Sequence, residues 1–269
     1  MAEKMIGFIG GGNMASAIIG GLISSGASDR NHIIASDKSE ASVQRLKEMF
    51  GIQASTENTE ISSNADILFL AVKPNMFGTV LPEIRDFLKK DAVVVSIAAG
   101  QTIEKITDGF GKPVKLIRTM PNTPALVGAS MSALCRNELV TDEEMTEVKA
   151  LFDTFGESEI VSEKLMDVVV GVSGSSPAWV YMFIEAMADA AVADGMPRAQ
   201  AYKFAAQSVL GSAKMVLDTG KHPGELKDMV CSPGGTTIEA VAVMEKAGLR
   251  SAVIEGQRAC VRKSIEMSR

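Results

Sequence analysis

The sequence is poor in histidine, cysteine and aromatic residues, and each shortage removes a class of chemistry. Only 2 histidines occur in 269 residues, His32 and His222. Neither lies near a serine-centred strand–helix elbow, so a Ser–His nucleophile triad finds no support. His32 reads as the approach to a strand, and His222 as a loop residue beside Pro223. The 3 cysteines, Cys135, Cys231 and Cys260, are far apart and odd in number. They offer no disulfide framework and no paired-cysteine metal spacing, and they fit a reducing, cytoplasmic setting. No histidine–carboxylate cluster has metal-ligand spacing, so no metal is expected. Lysine and arginine form no run and the formal net charge is −6, which argues against nucleic-acid or anionic-membrane partners. The longest apolar stretch, Pro177 to Val192, carries Glu185 and Asp189, which argues against a membrane span. Met5–Ile9 is too short for a secretory h-region and runs into a glycine loop instead of a cleavage site.

What remains is an ordinary globular composition, 46% apolar and 22% charged. Short apolar runs bounded by Gly, Pro or polar residues predict buried strands at Met5–Ile9, Ile33–Ala35, Ile67–Val72, Val93–Ile97 and Leu116–Ile117. Helical spacing lies between them, at Ala15–Ser25, Ala41–Phe50, Phe77–Leu88 and Ile103–Gly109. A further helix, Asp142–Phe155, follows the capping-box pattern Thr141-x-x-Glu144. Strand–helix alternation implies an α/β domain with a mostly parallel sheet covered on both faces. Past Glu163 strand signals fade and Ala-rich helices take over: Pro177–Ala193, Arg198–Leu217, Thr236–Ala247 and Leu249–Met267. Pro177 suits a first helical turn, and Gly195 and Gly220 suit helix ends. The reading is an α/β domain over residues 1–162 and an all-α domain over 163–269. The second is small for the apolar surface it carries, which points to a homodimer through these helices.

Gly10-x-Gly12-x-x-Ala15 matches the dinucleotide fingerprint, with a strand before it and a helix after. Gly10 permits the tight turn, Gly12 lets backbone approach a pyrophosphate, and Ala15 lets the helix pack closely on the strand. The helix N-terminus then favours the phosphates, which brings Gly11, Asn13 and Met14 into the candidate cofactor site. Cofactor choice falls to the end of the second strand, Ala35-Ser36-Asp37-Lys38. Ser36 at the tip would grip a 2′-phosphate together with Lys38 and favour NADP. Asp37 turned inward would hold the ribose 2′-hydroxyl and favour NAD. NADP is the expectation, with NAD as the alternative. Ala71-Val72-Lys73-Pro74 leaves another strand in extended form, because proline disfavours helix at Lys73.

Several segments together resemble the pyrroline-5-carboxylate reductases: Phe8–Met14, Phe69–Pro74, Val95–Gly100, Arg118–Pro124, Ser173–Ala178 and Leu226–Thr237. They follow the family's order across essentially the whole chain, and the last is far more specific than the glycine loop. Ser176, Trp179 and Met229 depart from residues common among relatives. The resemblance implies a Rossmann domain and a helical dimerisation domain, with dimers often assembling into a larger ring. It also implies NAD(P)H-dependent reduction of a cyclic imine to L-proline. By position it suggests cofactor contacts at Ser36, Asn58, Ala71 to Pro74, Ile97, Ala98 and Ala99, and substrate contacts at Glu163, Ser232, Thr236 and Thr237. In Ser232-Pro233-Gly234-Gly235-Thr236-Thr237 the glycines would expose amides at a helix start, a cradle for a small carboxylate that needs no arginine. Thr237 supplies a hydroxyl able to donate to the imine nitrogen or relay a proton. Glu163 reads equally as a cap on the helix after it or as a water-mediated contact to the ring nitrogen. Hydroxyacid dehydrogenases of similar plan place a lysine base on the long helix after the junction, and Pro177–Asp194 has no lysine. A silent NADP-sensing protein would have no use for the 232–237 cradle.

Overall fold

The structure, a computed structural model, describes residues 4–268. They form two compact units, one of residues 4–175 with 260–268 and one of residues 176–259. The first alternates strand and helix: β1 (Ile6–Ile9), α1 (Asn13–Ser24), β2 (Ile33–Ser36), α2 (Glu40–Phe50), β3 (Gln53–Ser55), α3 (Asn58–Asn64), β4 (Ile67–Leu70), α4 (Phe77–Ile84), β5 (Val93–Ser96), α5 (Ile103–Phe110) and β6 (Lys115–Met120). It continues with β7 (Ser130–Arg136), α6 (Asp142–Phe152), β8 (Gly156–Ile160) and the short α7 (Met166–Val169).

The strands form one 8-stranded sheet in the order β3-β2-β1-β4-β5-β6-β7-β8. Pairing is parallel up to β6, antiparallel between β6 and β7, and parallel again between β7 and β8. Strand order reverses between β1 and β4, and such a switch point leaves a crevice beyond the strands' carboxyl ends. Every residue of β1, β2, β4 and β5 is buried, as both faces are covered. Phe8, Phe69, Val93 and Val95 point to one face, with Ile18, Leu22, Val148 and Phe152. Ile9, Leu68, Leu70 and Val94 point to the other, with Ile61, Leu81, Ile84, Ile106 and Phe110. Phe8 and Phe69 pair in register and stack with ring centroids 4.7 Å apart. Burying each such aromatic is worth about 1.5–3 kcal/mol.

The expected strands at Ile67–Val72 and Val93–Ile97 end sooner, at Leu70 and Ser96, while the one read at Leu116–Ile117 runs from Lys115 to Met120. The helix read to Leu88 stops at Ile84 and tightens into a 3₁₀ turn at Arg85–Phe87. The helix read to Phe155 ends at Phe152 and tightens in the same way. Four elements of this unit lack a sequence signal: β3, α3, β7 and β8. The first and last strands lie at the sheet's edges, where polar side chains replace the apolar run. In α3 only Ile61 and Ser62 are buried, too little for a visible stripe.

The second unit is helical: α8 (Ser176–Ala193), α9 (Arg198–Thr219), α10 (Pro223–Val230), α11 (Thr236–Lys246) and the first part of α12 (Leu249–Ser268). Gly195 and Gly220 follow α8 and α9 with φ of +95° and +63°, the left-handed conformation that ends helices cheaply only in glycine. His222, expected in a loop, instead caps α10, its Nδ1 accepting from the Gly224 amide at 3.0 Å with Pro223 opening the helix. The α/β-plus-helical architecture is the one expected. Among the described residues, no helix is long and apolar enough to cross a membrane.

Candidate functional site

The first unit carries a cleft of about 410 Å³ at the switch point, walled by Gly10, Gly12, Asp37, Lys38, Asn58, Ala71, Val72, Lys73, Asn75, Met76 and Val80. Gly10 turns the chain out of β1 with φ +100°, and its amide donates to Ser36 O at 2.8 Å. A Cβ there would sit 2.6 Å from the Ala71 carbonyl oxygen, so both conformation and space demand glycine. Gly11 is clamped from two sides: its amide donates to Asp37 Oδ2 at 2.9 Å, and its carbonyl accepts from Arg45. Gly12 precedes α1, with open space where a Cβ would be. No side chain caps α1 and no acid lies in its first turn, so the first amides point outward unpartnered by side chains. Open space at Gly12 and uncapped amides fit a dinucleotide pyrophosphate.

Of the residues expected to touch the cofactor, Gly10, Gly12, Lys38, Asn58, Ala71, Val72 and Lys73 wall this cleft. Asn13 and Met14 begin α1, and Met14 packs against the core. Lys73 is extended and Pro74 opens a single 3₁₀ turn, as the Lys-Pro pair requires. Ile97, Ala98 and Ala99 continue from β5; the Ile97 amide donates to Leu70 O at 3.3 Å. Ser36 behaves differently from expectation. It is 0% exposed, and its hydroxyl donates to Asn58 Oδ1 at 2.7 Å. Asn58 in turn donates to Glu83 at 3.1 Å. Ser36 therefore orients a cleft residue, while Asp37 is the residue turned inward. Asn75, Met76 and Val80 are cleft residues that the sequence reading misses. A signal for them exists: a proline opening a turn beside the strand end aims the next residues back at the cleft, and Met76 and Val80 share a helix face.

Glu163 starts a 3₁₀ turn after β8. Its Oε1 accepts from the Ile103 amide at 2.8 Å and from Arg118 Nη1 at 3.0 Å. The carboxylate thus caps the start of α5 instead of the helix that follows it. Arg118 is only 5% exposed, so this ion pair neutralises a buried cation. Beside it, burial above all, then the Glu163 charge, pushes the Cys135 thiol up to about 12. That thiol stays protonated and is no nucleophile.

In the second unit the chain leaves α10 at Cys231 and turns through Ser232–Gly235 into α11. Gly234 adopts φ +67°, and the Gly235 amide donates to Ser232 O at 3.1 Å. A Cβ on Gly235 would lie 2.4 Å from Ser232 Oγ, so the turn closes this tightly only with glycine. No side chain caps α11. Its first amides, with the Thr236 and Thr237 hydroxyls, are free to hold a small carboxylate.

Residues 163–267 match the family model described as pyrroline-5-carboxylate reductase dimerisation, and residues 5–100 match one described as NADP oxidoreductase, coenzyme F420-dependent. A pyrroline-5-carboxylate reductase of Escherichia coli (strain K12) is 57% identical over 267 residues, 99% of each chain. The chain belongs to the pyrroline-5-carboxylate reductase family. A solved family structure from Coxiella burnetii superposes with a TM-score of 0.92 at 35% identity, covering 99% of both chains. A Plasmodium falciparum pyrroline carboxylate reductase with NADP bound gives 0.91 at 30% identity, covering 100% of both. The family explains why the anion cradle lacks arginine: backbone amides suffice for one carboxylate. It also explains the helical half, whose matched segment is named for dimerisation.

Proposed function

We propose that this chain reduces 1-pyrroline-5-carboxylate to L-proline with NAD(P)H, the last step of proline biosynthesis. The observation that carries this is the likeness to reductases of that name along the whole chain, with the Ser232–Thr237 turn intact. A bound NAD(P)H supplies hydride to the imine carbon. The chain's own residues hold the partners of that transfer. Uncapped amides at the starts of α1 and α11 hold a pyrophosphate and a carboxylate respectively, and Thr237 donates a hydrogen bond to the imine nitrogen. Ser232, Gly234, Gly235 and Thr236 complete the carboxylate cradle. Glu163 already commits Oε1 to Arg118 and α5, so its substrate contact falls to Oε2. Most of the rate comes from holding donor and imine within reach, since no strong acid–base pair is needed.

The test is steady-state oxidation of NADPH with pyrroline-5-carboxylate, using pyrroline-2-carboxylate as control; no turnover of the first would overturn the reading. Thr237→Ala is expected to lower kcat/KM about 10- to 100-fold, the loss of one or two hydrogen bonds. An unchanged kcat/KM removes Thr237 from the mechanism. The functional division we propose is a cofactor domain over residues 1–162 and a substrate and dimerisation domain over 163–269. We further propose assembly of dimers into a larger ring, read by light scattering, and a cytoplasmic site of action, supported by three free thiols.

A further inference from the structure

Asp37 is the only acid among the residues that wall the cofactor cleft. Both carboxylate oxygens are engaged: Oδ2 accepts from the Gly11 amide at 2.9 Å, and Oδ1 from the Ser39 amide at 3.0 Å. These bonds hold the side chain against the phosphate-binding loop, at the end of β2. In dinucleotide folds an acid at the end of the second strand accepts from the ribose 2′-hydroxyl. A carboxylate offers about four lone-pair sites, so two amide bonds leave capacity for that hydroxyl. Ser36, the neutral residue that would welcome a 2′-phosphate, is buried and spends its hydroxyl on Asn58. The cations at this end are Lys38, exposed on the cleft wall, and Arg45, which donates to Gly11 O. The ribose end therefore presents an acid fixed by backbone and a lysine with no ion pair among the described residues.

We propose that Asp37 sets cofactor choice in this chain. Its carboxylate accepts from the 2′-hydroxyl of NADH and repels the 2′-phosphate of NADPH, and Lys38 offsets part of that repulsion. The result is a reductase that uses both cofactors with little discrimination. This deepens the reductase reading but rests only on its dinucleotide site, so the test leaves out pyrroline chemistry.

Calorimetric titration of the full-length protein with ADP-ribose and with 2′-phospho-ADP-ribose reads the choice directly. For the unaltered chain the two Kd values are expected to lie within about tenfold of each other. Asp37→Ser should shift their ratio at least about tenfold toward the phosphorylated ligand, the worth of one charge-assisted hydrogen bond. Lys38→Met should shift it the opposite way. A shared weakening of both ligands in Asp37→Ser, with the ratio unchanged, would show that Asp37 only braces the loop and would overturn the proposal. So would a preference of the unaltered chain beyond about tenfold for the 2′-phosphate. Should Asp37→Ser fail to fold, Asp37→Asn keeps an acceptor oxygen for an amide and is judged by the same ratio. Absence of binding by both ligands would sink the cofactor reading together with this one, whereas a failed pyrroline assay leaves the titrations interpretable.

Discussion

Gly10 and Gly12 share a motif and a residue type, yet the structure requires glycine at each for a different reason. Gly10 has φ +100°, and an added Cβ would press to 2.6 Å on the Ala71 carbonyl oxygen. Gly10→Ala therefore strains the fold itself, by about 1–2 kcal/mol for the left-handed backbone alone and more for the clash. Gly12 has φ −71°, and a methyl group added there would meet nothing within 4 Å. Gly12→Ala should keep its melting temperature and lose dinucleotide affinity, because the new methyl fills space that a pyrophosphate takes. Thermal unfolding and ADP-ribose titration of the two variants separate these roles. Equal losses of stability in both would refute the distinction. Asp37 shows the same divergence between neighbours: a one-residue step along the end of β2 exchanges a buried hydroxyl for a cleft-facing carboxylate.

At the level of elements, α6 shows how local chemistry fixes a boundary. Thr141 Oγ1 accepts from the Glu144 amide at 3.2 Å, and Glu144 Oε2 accepts from the Thr141 amide at 2.9 Å. Glu144 also pairs through Oε1 with Lys115 on β6, at 2.6 Å. Partial burial raises the Glu144 pKa, but the hydrogen bonds from Lys115 and Thr141 and the lysine's charge outweigh it, and the net direction is downward. A depressed folded pKa adds stability that is fully present above the unfolded value, about 4.3. That stability is lost as pH falls through the folded value. Thr141→Ala should cost about 1 kcal/mol at neutral pH. Glu144→Gln should destabilise the protein at pH 7 and converge on the parent as pH drops below about 4. Unfolding curves across that range decide it, and a gap that persists in acid would rule the linkage out. This boundary is legible because a capping box is written in four consecutive residues. The fully buried strands β1, β2, β4 and β5 are legible as apolar runs. The edges β3 and β8 are not, since a strand with one neighbour needs no such run. At the site, the glycine loop and the Lys73-Pro74 exit can be read. The partners of Glu163 cannot, because Arg118 and the Ile103 amide meet it only through the tertiary fold.

On the scale of the whole molecule, the second unit is short of buried surface. Between residues 176 and 259 the buried side chains are Ala188, Ala201 and Ala205, the smallest apolar groups available. Large ones stand open, among them Phe204 at 66%, Leu217 at 79% and Val243 at 67% exposure. Ordering a helical segment costs roughly 1.5 kcal/mol per residue, and three alanines do not offset it. The missing burial must come from a second copy, which accords with the dimerisation family that residues 163–267 match. Ala-rich helices suit that role, since small side chains let helix axes approach closely. A protein stabilised this way has a melting temperature that rises with its own concentration. Placing two charges on the open face, Phe204→Glu with Val243→Glu, should dissociate the assembly and abolish that dependence, as burying unpaired carboxylates is prohibitive. Light scattering reads the mass, and unfolding at several protein concentrations reads the coupling. If the doubly charged variant kept the parent's mass and melting temperature, those two side chains would face water in the assembly, and the burial the unit lacks would have to come from another of its faces.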